Sequence, residues 1–263
     1  MKKHSNHTKK QPHLFLFLIA VALCLCAAAV VLESFFPPIL STDAERTVYN
    51  YAKENGLSYR NYPQSLIDLL ERNPEAEKFV LEYPTASKEA FSIDLSEYAD
   101  SPSIPLFMQW DQRWGYMKYG SDVAGLTACG PVCLSMAAMY LTGSTSYSPD
   151  AVIRFANKNN YYVPGSGSSW TLISEGGKKL GFQVTELPLD EGRIRKCVEA
   201  DIPVIIVVGP GDFTTSGHFL VVTGYENGKF RLNDPNSRAN SQKLWAYDDI
   251  KDQIRNLWSI QNA

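Results

Sequence analysis

Histidine and cysteine are scarce in this chain of 263 residues, and the positions of the few present narrow its chemistry. Of four histidines, His4, His7 and His13 precede a long apolar run, and only His218 follows it. Of five cysteines, Cys24 and Cys26 lie inside that run, which leaves Cys129, Cys133 and Cys197 beyond it. Three is an odd number, so no complete disulfide framework can be drawn. Cys129, Cys133, Cys197 and His218 lack the paired short knuckles of a structural zinc site, and the sequence calls for no metal or other cofactor. No Gly-x-Ser-x-Gly elbow is present, which removes the obvious serine-hydrolase arrangement. Gly165-Ser-Gly-Ser-Ser follows no strand in the way a phosphate loop requires. Basic residues are not interleaved with aromatics, which disfavours nucleic acid as a partner. No internal repeat is visible.

What is present is ordinary globular composition, 44% hydrophobic and 20% charged, behind an unusual N-terminus. Lys2, Lys3, Lys9 and Lys10 precede an uncharged run from Leu14 to Leu32. At about 1.5 Å rise per residue such a run nearly matches the hydrocarbon thickness of a bilayer. Positive charge ahead of it holds the N-terminus in the cytoplasm and sends the remainder outward. The expectation is a basic cytoplasmic tail over 1–13 and a transmembrane signal-anchor over 14–32. A cleaved signal peptide, using the small residues Ala27 to Ala29, is the competing reading.

Beyond the run, residues 33–100 read as a small helical subdomain with a linker. Asp43 to Asn55 suits a helix stopped by Gly56, and Pro63 to Arg72 suits a second. Asn73-Pro74 caps a third that carries Phe79, Val80 and Tyr83. Residues 101–263 read as an α+β domain. A helix opens at Thr127-Ala-Cys-Gly-Pro and stops at Gly143. Further helices follow from Ser148-Pro149, over Ser169 to Leu180, and over Asp190 to Ala200. Strands then occupy Pro203 to Gly209, His218 to Tyr225, Lys229 to Asp234, and Gln242 to Tyr247. An antiparallel sheet packed on the Cys129 helix is expected.

Pro131 fits the first helical turn, which sets Cys129 at or just before the helix N-terminus. Unpaired backbone N–H groups and the helix dipole favour the thiolate there, the nucleophilic form. Cys133, one turn on, is expected to be buried and inert, as is Cys197. His218, at the start of a strand beside Gly217, is the base available to Cys129. A three-residue hairpin loop, Glu226-Asn227-Gly228, sets Asp234 opposite Leu220, two residues from His218 on the same face. Asp234 then orients the imidazole. The Cys129 backbone N–H and either Gln109 or Gln112 can serve a developing oxyanion. Trp110, Trp114 and Trp170 are candidates either for core or for the lining of a cleft.

Four stretches carry a family resemblance: Ile104-Pro-Leu-Phe-Met-Gln-Trp-Asp-Gln-Arg-Trp-Gly, Ala128-Cys-Gly-Pro-Val-Cys-Leu-Ser-Met, Gly217-His-Phe-Leu-Val-Val and Asn233-Asp-Pro-Asn-Ser. In this order they resemble the C39-like branch of papain-fold cysteine peptidases. The resemblance implies a papain-like fold, with Cys129, His218 and Asp234 as the Cys, His and Asp of the site. It points to Gln109 over Gln112 as oxyanion donor. The best-known members, transporters that trim double-glycine leaders, carry membrane and nucleotide-binding domains that this chain lacks. Their specificity is therefore not expected here. The stretch from Tyr62 to Pro84 is similar to one that precedes this domain in Gram-positive relatives, which suggests a fixed companion rather than an inhibitory propeptide. The function implied is a membrane-anchored thiol peptidase acting on peptides or proteins at the outer face. Its rivals are a cell-wall peptide amidase or transpeptidase of the same fold, and a peptide-binding module without turnover.

Overall fold

The computed structural model describes residues 38–86, 93–99 and 101–263. The run from Leu14 to Leu32 lies outside them; among the described residues no helix is long and apolar enough to cross a membrane. Residues 44–263 form one compact unit, and the site described below lies within it.

Three helices come first: α1 (Asp43–Glu54), α2 (Gln64–Arg72) and α3 (Glu77–Leu81). Each presents one apolar stripe, and none could bury it alone. Val48, Leu66, Leu70, Phe79 and Val80 close into one cluster that also takes in Met108, Trp110 and Tyr116 from further along the chain. Phe79 stacks on Tyr116 with centroids 4.6 Å apart, and the Tyr116 hydroxyl donates to the Phe79 carbonyl. The shared core fastens the three helices to the rest.

Next come α4 (Cys129–Thr142), which ends at Gly143, and α5 (Pro149–Lys158). Helix α4 is buried on every side from Gly130 to Met139, so it carries no polar stripe to read. The segment expected as a helix over Ser169 to Leu180 is irregular. It holds a π-helical turn, Leu172–Gly176, and a short α turn, Gly177–Lys179. Gly176 and Gly177 press their bare backbone against Tyr161, Leu172 and Val184 there.

The sheet has six strands: β1 (Phe182–Glu186), β2 (Val204–Val208), β3 (His218–Glu226), β4 (Lys229–Asn233), β5 (Leu244–Trp245) and β6 (Ile254–Asn262). Their order is β1-β6-β2-β3-β4-β5, and every pairing is antiparallel. Helix α6 (Glu191–Glu199) lies between β1 and β2 in sequence and is capped by the Asp190 side chain. One sheet face, with Ile205, Val207, Phe219 and Val221, packs on α4; the other, with Val204, Ile206, Leu220 and Val222, packs on α6. Strands β1 and β6 were not expected. The segment expected as a strand over Gln242 to Tyr247 shrinks to β5, because α7 (Arg238–Gln242) takes its first residue.

The β3–β4 turn corrects a second expectation. Asn227 and Gly228 both have positive φ, 52° and 76°, and form a two-residue turn between the paired Glu226 and Lys229. The ladder then slips between Val222 and Gly224, so that Thr223 is an extra residue. The bulge restores the register that a three-residue loop would have given, with Val221 opposite Asn233. Asp234, the next residue, falls across from Leu220.

Candidate active site

One helical turn, Ala124–Thr127, leads directly into α4, whose first residue is Cys129. The Ala128 carbonyl accepts from the Val132 N–H, so the chain is already helical at the cysteine. The Cys129 side chain is half-buried on the wall of a cavity of about 980 Å³, with His218, Gln109, Ser168 and Trp170 around it. Burial pushes the Cys129 thiol up. A hydrogen bond and charge from His218, and backbone N–H groups of Phe219 and Gly130, outweigh this and hold it below the ordinary thiol value.

His218 is 6% exposed at the start of β3. Its Nε2 lies 2.7 Å from Asp234 Oδ1, which is 1% exposed. A carboxylate only accepts, so Nε2 carries the proton and Nδ1 is left to serve Cys129. Burial alone would lower the His218 pKa. The Asp234 charge and hydrogen bond, together with Cys129, raise it to about 10. Burial likewise pushes the Asp234 carboxyl up, but His218, Asn240 and the Asn236 N–H hold it below the usual carboxylate range. The structure therefore brings Cys129, His218 and Asp234 together in surroundings that favour the charged form of each.

Asp234 is fixed from all sides. Asn236 N–H donates to Oδ1 at 2.8 Å, Asn240 Nδ2 donates to Oδ2 at 2.9 Å, and the Asp234 N–H donates to Ser241 Oγ at 2.9 Å. The loop after it is clamped in turn by the small helical unit. Asn73 Nδ2 and Trp110 Nε1 both donate to the Asn236 carbonyl. The Glu75 carboxylate accepts from Ser237 Oγ and from the N–H groups of Arg238 and Ala239, across the start of α7. In the sequence Asn73 reads only as a helix cap and Trp110 only as core or cleft lining; neither they nor Glu75, Asn240 and Ser241 read as supports of Asp234. Ser237-x-x-Asn240 has the form of a helix cap and its side chain does cap α7, a signal that would have flagged the loop.

The two glutamines part company. Gln109 is 4% exposed, lines the cavity, and donates from Nε2 to the Gly125 carbonyl at 2.9 Å. That bond fixes which end of the amide is nitrogen; among the described residues its second N–H is uncommitted and the buried Oε1 has no partner. Gln112 instead donates to Glu82 and to Tyr116, at the junction with the helical unit, and is not among the cavity residues. Of the tryptophans, Trp114 and Trp110 are buried, and Trp170 is 45% exposed on the cavity. Cys133 is buried, and burial drives its thiol well above the ordinary value. Cys197, expected to be buried, is only half-buried on α6, although burial still raises its pKa. All three described cysteines are free.

Another stretch of the cavity wall depends on Gly167. Its φ is +80°, and an added Cβ would stand 2.9 Å from the Thr127 carbonyl oxygen. The backbone of the Gly165–Ser168 loop therefore lies against the residues that lead into the cysteine helix.

Among solved structures, the chain is similar to the peptidase domain of Streptococcus ComA, a bi-functional ABC transporter involved in a quorum-sensing pathway. Identity is 18%, with 61% of this chain and 99% of that chain covered and a TM-score of 0.43. It is also similar to a C39-like peptidase from Bacillus anthracis, at 16% identity, covering 64% of this chain and 96% of that one, with a TM-score of 0.37. No curated protein matches. The profile of the Peptidase_C39 like family matches residues 102–262, which span α4, the whole sheet and every residue of the Cys129 cluster, and the chain accordingly belongs to the Peptidase_C39 like family.

Proposed function

We propose that this chain is a membrane-anchored thiol peptidase that cleaves peptide or protein substrates outside the cytoplasm. The observation that carries the reading is the continuous line Cys129–His218–Asp234, with the sulfur end on a cavity and the carboxylate end buried. Cys129 Sγ attacks the scissile carbonyl as thiolate. The oxyanion that develops is met by the Cys129 backbone N–H and by the uncommitted Gln109 N–H. His218 then gives its Nδ1 proton to the leaving amine, and the acyl-thioester forms as the C–N bond breaks. Water attacks the thioester, His218 takes up its proton, and Cys129 leaves as thiolate. Asp234 never moves its proton balance; it keeps the imidazole oriented and its charged form stabilised. The basic residues ahead of the Leu14–Leu32 run support an outward-facing catalytic unit.

The test is covalent. Residues 42–263 are incubated with a peptide mixture, quenched in acid, and searched by mass spectrometry for an acyl adduct on Cys129. An adduct that appears with wild-type protein and disappears in Cys129→Ala supports the reading. Absence of any adduct, with a Cys129 that alkylates like an ordinary thiol, refutes it.

A further inference from the structure

The cavity beside Cys129 is not closed by the family-matched residues alone. Leu69 and Arg72, both from α2 and both ahead of residue 102, form part of its wall. Arg72 is the last residue of α2 and is exposed. Its immediate neighbour Asn73 is buried and bonded to the Asn236 carbonyl, itself part of the same cavity wall. The backbone that carries Arg72 is thus pinned to the loop that holds Asp234, while the side chain stays free. Nearby carboxylates are already taken: Glu71 accepts from the Ala44 N–H, and Glu75 is spent on the start of α7. Among the described residues the Arg72 guanidinium makes no hydrogen bond or ion pair.

The other cavity residues make this charge stand out. Among the described residues on the wall, Arg72 is the only basic side chain apart from His218. Asp212 is the only acidic one among them, and Gln253 Nε2 donates to its carboxylate. Glycine and hydroxyl residues of the segments Gly165–Ser168 and Gly211–Gly217 make up much of the remainder. A planar guanidinium with five donors and no acceptor is matched best by a carboxylate. The chain's formal charge of −3 does not draw anions from a distance, so any preference arises from this contact.

We infer that α2 is a permanent wall of the substrate cleft and that Arg72 selects peptides bearing a carboxylate, an Asp or Glu side chain or a free C-terminus, within reach of the scissile bond. The inference rests on the reading of the cavity as a peptidase cleft. An inhibitory propeptide would be dispensable for turnover, whereas here removal of α2 takes away a substrate contact and the support from which the adjoining Asn73 reaches Asn236.

The experiment uses matched peptidyl halomethyl ketones, which alkylate Cys129 without needing turnover. Each set carries Glu, Gln or Lys at one position, and a companion set has a free or an amidated C-terminus. Rates are followed on the exported chain as wild type, Arg72→Gln and Arg72→Glu, with iodoacetamide as the uncharged reference. Wild-type protein is expected to favour one acidic probe over its Gln counterpart by roughly threefold to tenfold, the range of a partly solvated charge pair. Arg72→Gln abolishes the preference and Arg72→Glu reverses it in favour of Lys, with the iodoacetamide rate unchanged throughout. The side-chain and C-terminal sets tell the two carboxylate sources apart. Equal rates for acidic and neutral probes, with a reactive Cys129, overturn the inference and leave the peptidase reading standing. A Cys129 that reacts with iodoacetamide no faster than a free thiol overturns the peptidase reading and this inference with it.

Discussion

His218 Nε2 lies 2.7 Å from Asp234 Oδ1, although the two residues sit at the far end of a hairpin whose register changes halfway along. At the turn Glu226 pairs with Lys229; beyond Thr223, Val222 pairs with Leu232. Without the extra residue Asp234 would stand across from Val221, and a one-residue slip turns a side chain to the other face of the sheet. The carboxylate thus reaches the imidazole through a bulge several residues away.

That pairing sets the pH behaviour. The Cys129 thiol lies below its ordinary value and the His218 imidazolium persists to about 10, so the charged pair fills the interval between. Alkylation of Cys129 is expected to begin at a pH below the about 8.5 of a free thiol. In His218→Ala the burial penalty is no longer opposed by the imidazolium, and the titration moves upward. Rates of iodoacetamide labelling against pH, with sites located by mass spectrometry, check this. Cys133 and Cys197, both raised, should label later than Cys129 at neutral pH.

Asp234→Asn keeps an acceptor near Nε2 but removes the charge that holds the imidazolium. The sign follows from linkage. A His pKa raised on folding stabilises the fold fully below its unfolded value of about 6.5, and that contribution fades as pH rises through the folded value of about 10. Asp234, lowered on folding, contributes above its unfolded value of about 3.9 and loses that contribution as pH falls through its folded one. In Asp234→Asn the alkaline limb of peptide turnover should move to lower pH, and the melting temperature at pH 7 should fall. A pH–rate profile and a melting curve at matched pH measure the two effects.

Gln109→Ala separates binding of the oxyanion from activation of sulfur. Loss of one such donor costs about 10² to 10³ in rate. Peptide turnover should fall by that order while the iodoacetamide profile of Cys129 stays in place, since Gln109 is not among the groups that shift its thiol. Gln112→Ala breaks the contacts with Glu82 and Tyr116 and should lower stability with little effect on turnover.

How much of this was legible in the sequence varied with the kind of signal. Cys129 was placed by Pro131 and a helix start, both local features, and His218 stood out by elimination. Strand β6 was hidden because its register shifts between Ile254 and Asn256, which breaks the alternation that marks a half-buried strand. Strand β1 buries only Phe182 and Val184, too short a pattern to separate from loop. The Asp234 position was reached through a three-residue loop, whereas the chain uses a two-residue turn and a bulge. Both give the same register, and hairpin length alone does not distinguish them. The clamp from Asn73 and Glu75 was unreadable because it joins residues more than 160 positions apart.

That clamp makes Asn73 and Glu75 positioning residues for Asp234. Asn73→Ala strips the Asn236 carbonyl of one donor, and Glu75→Gln removes the charge that gathers two backbone N–H groups and Ser237. Each is expected to cost about 1–3 kcal/mol of stability. A purely structural role predicts that loss and nothing more. A positioning role predicts that the acid limb of Cys129 alkylation also moves toward the ordinary thiol value. Val48→Ala, a core truncation in the same helical unit, is the control: it should lower the melting temperature without moving the limb.

Gly167→Ala tests the loop wall. The position combines a φ of +80° with a Cβ that would stand 2.9 Å from the Thr127 carbonyl oxygen. Left-handed backbone costs an alanine on the order of 1–2 kcal/mol, and the close approach adds to it because a backbone atom, not a flexible side-chain tip, is in the way. The strain can be relieved only by moving Gly165–Ser168 away from Thr127 or by shifting the turn that leads into Cys129. In the first case the cavity widens, KM for peptide rises and the alkylation profile holds. In the second the Cys129 thiol loses its alignment with the Phe219 N–H and His218, and its alkylation shifts to higher pH. Thr127 is tied into the turn that starts at Ala124 and the Gly165–Ser168 loop is held by a two-residue ladder, so the loop is the part expected to yield. A raised KM with an unchanged Cys129 profile is therefore the predicted outcome, and a shifted profile would show that the turn yields instead.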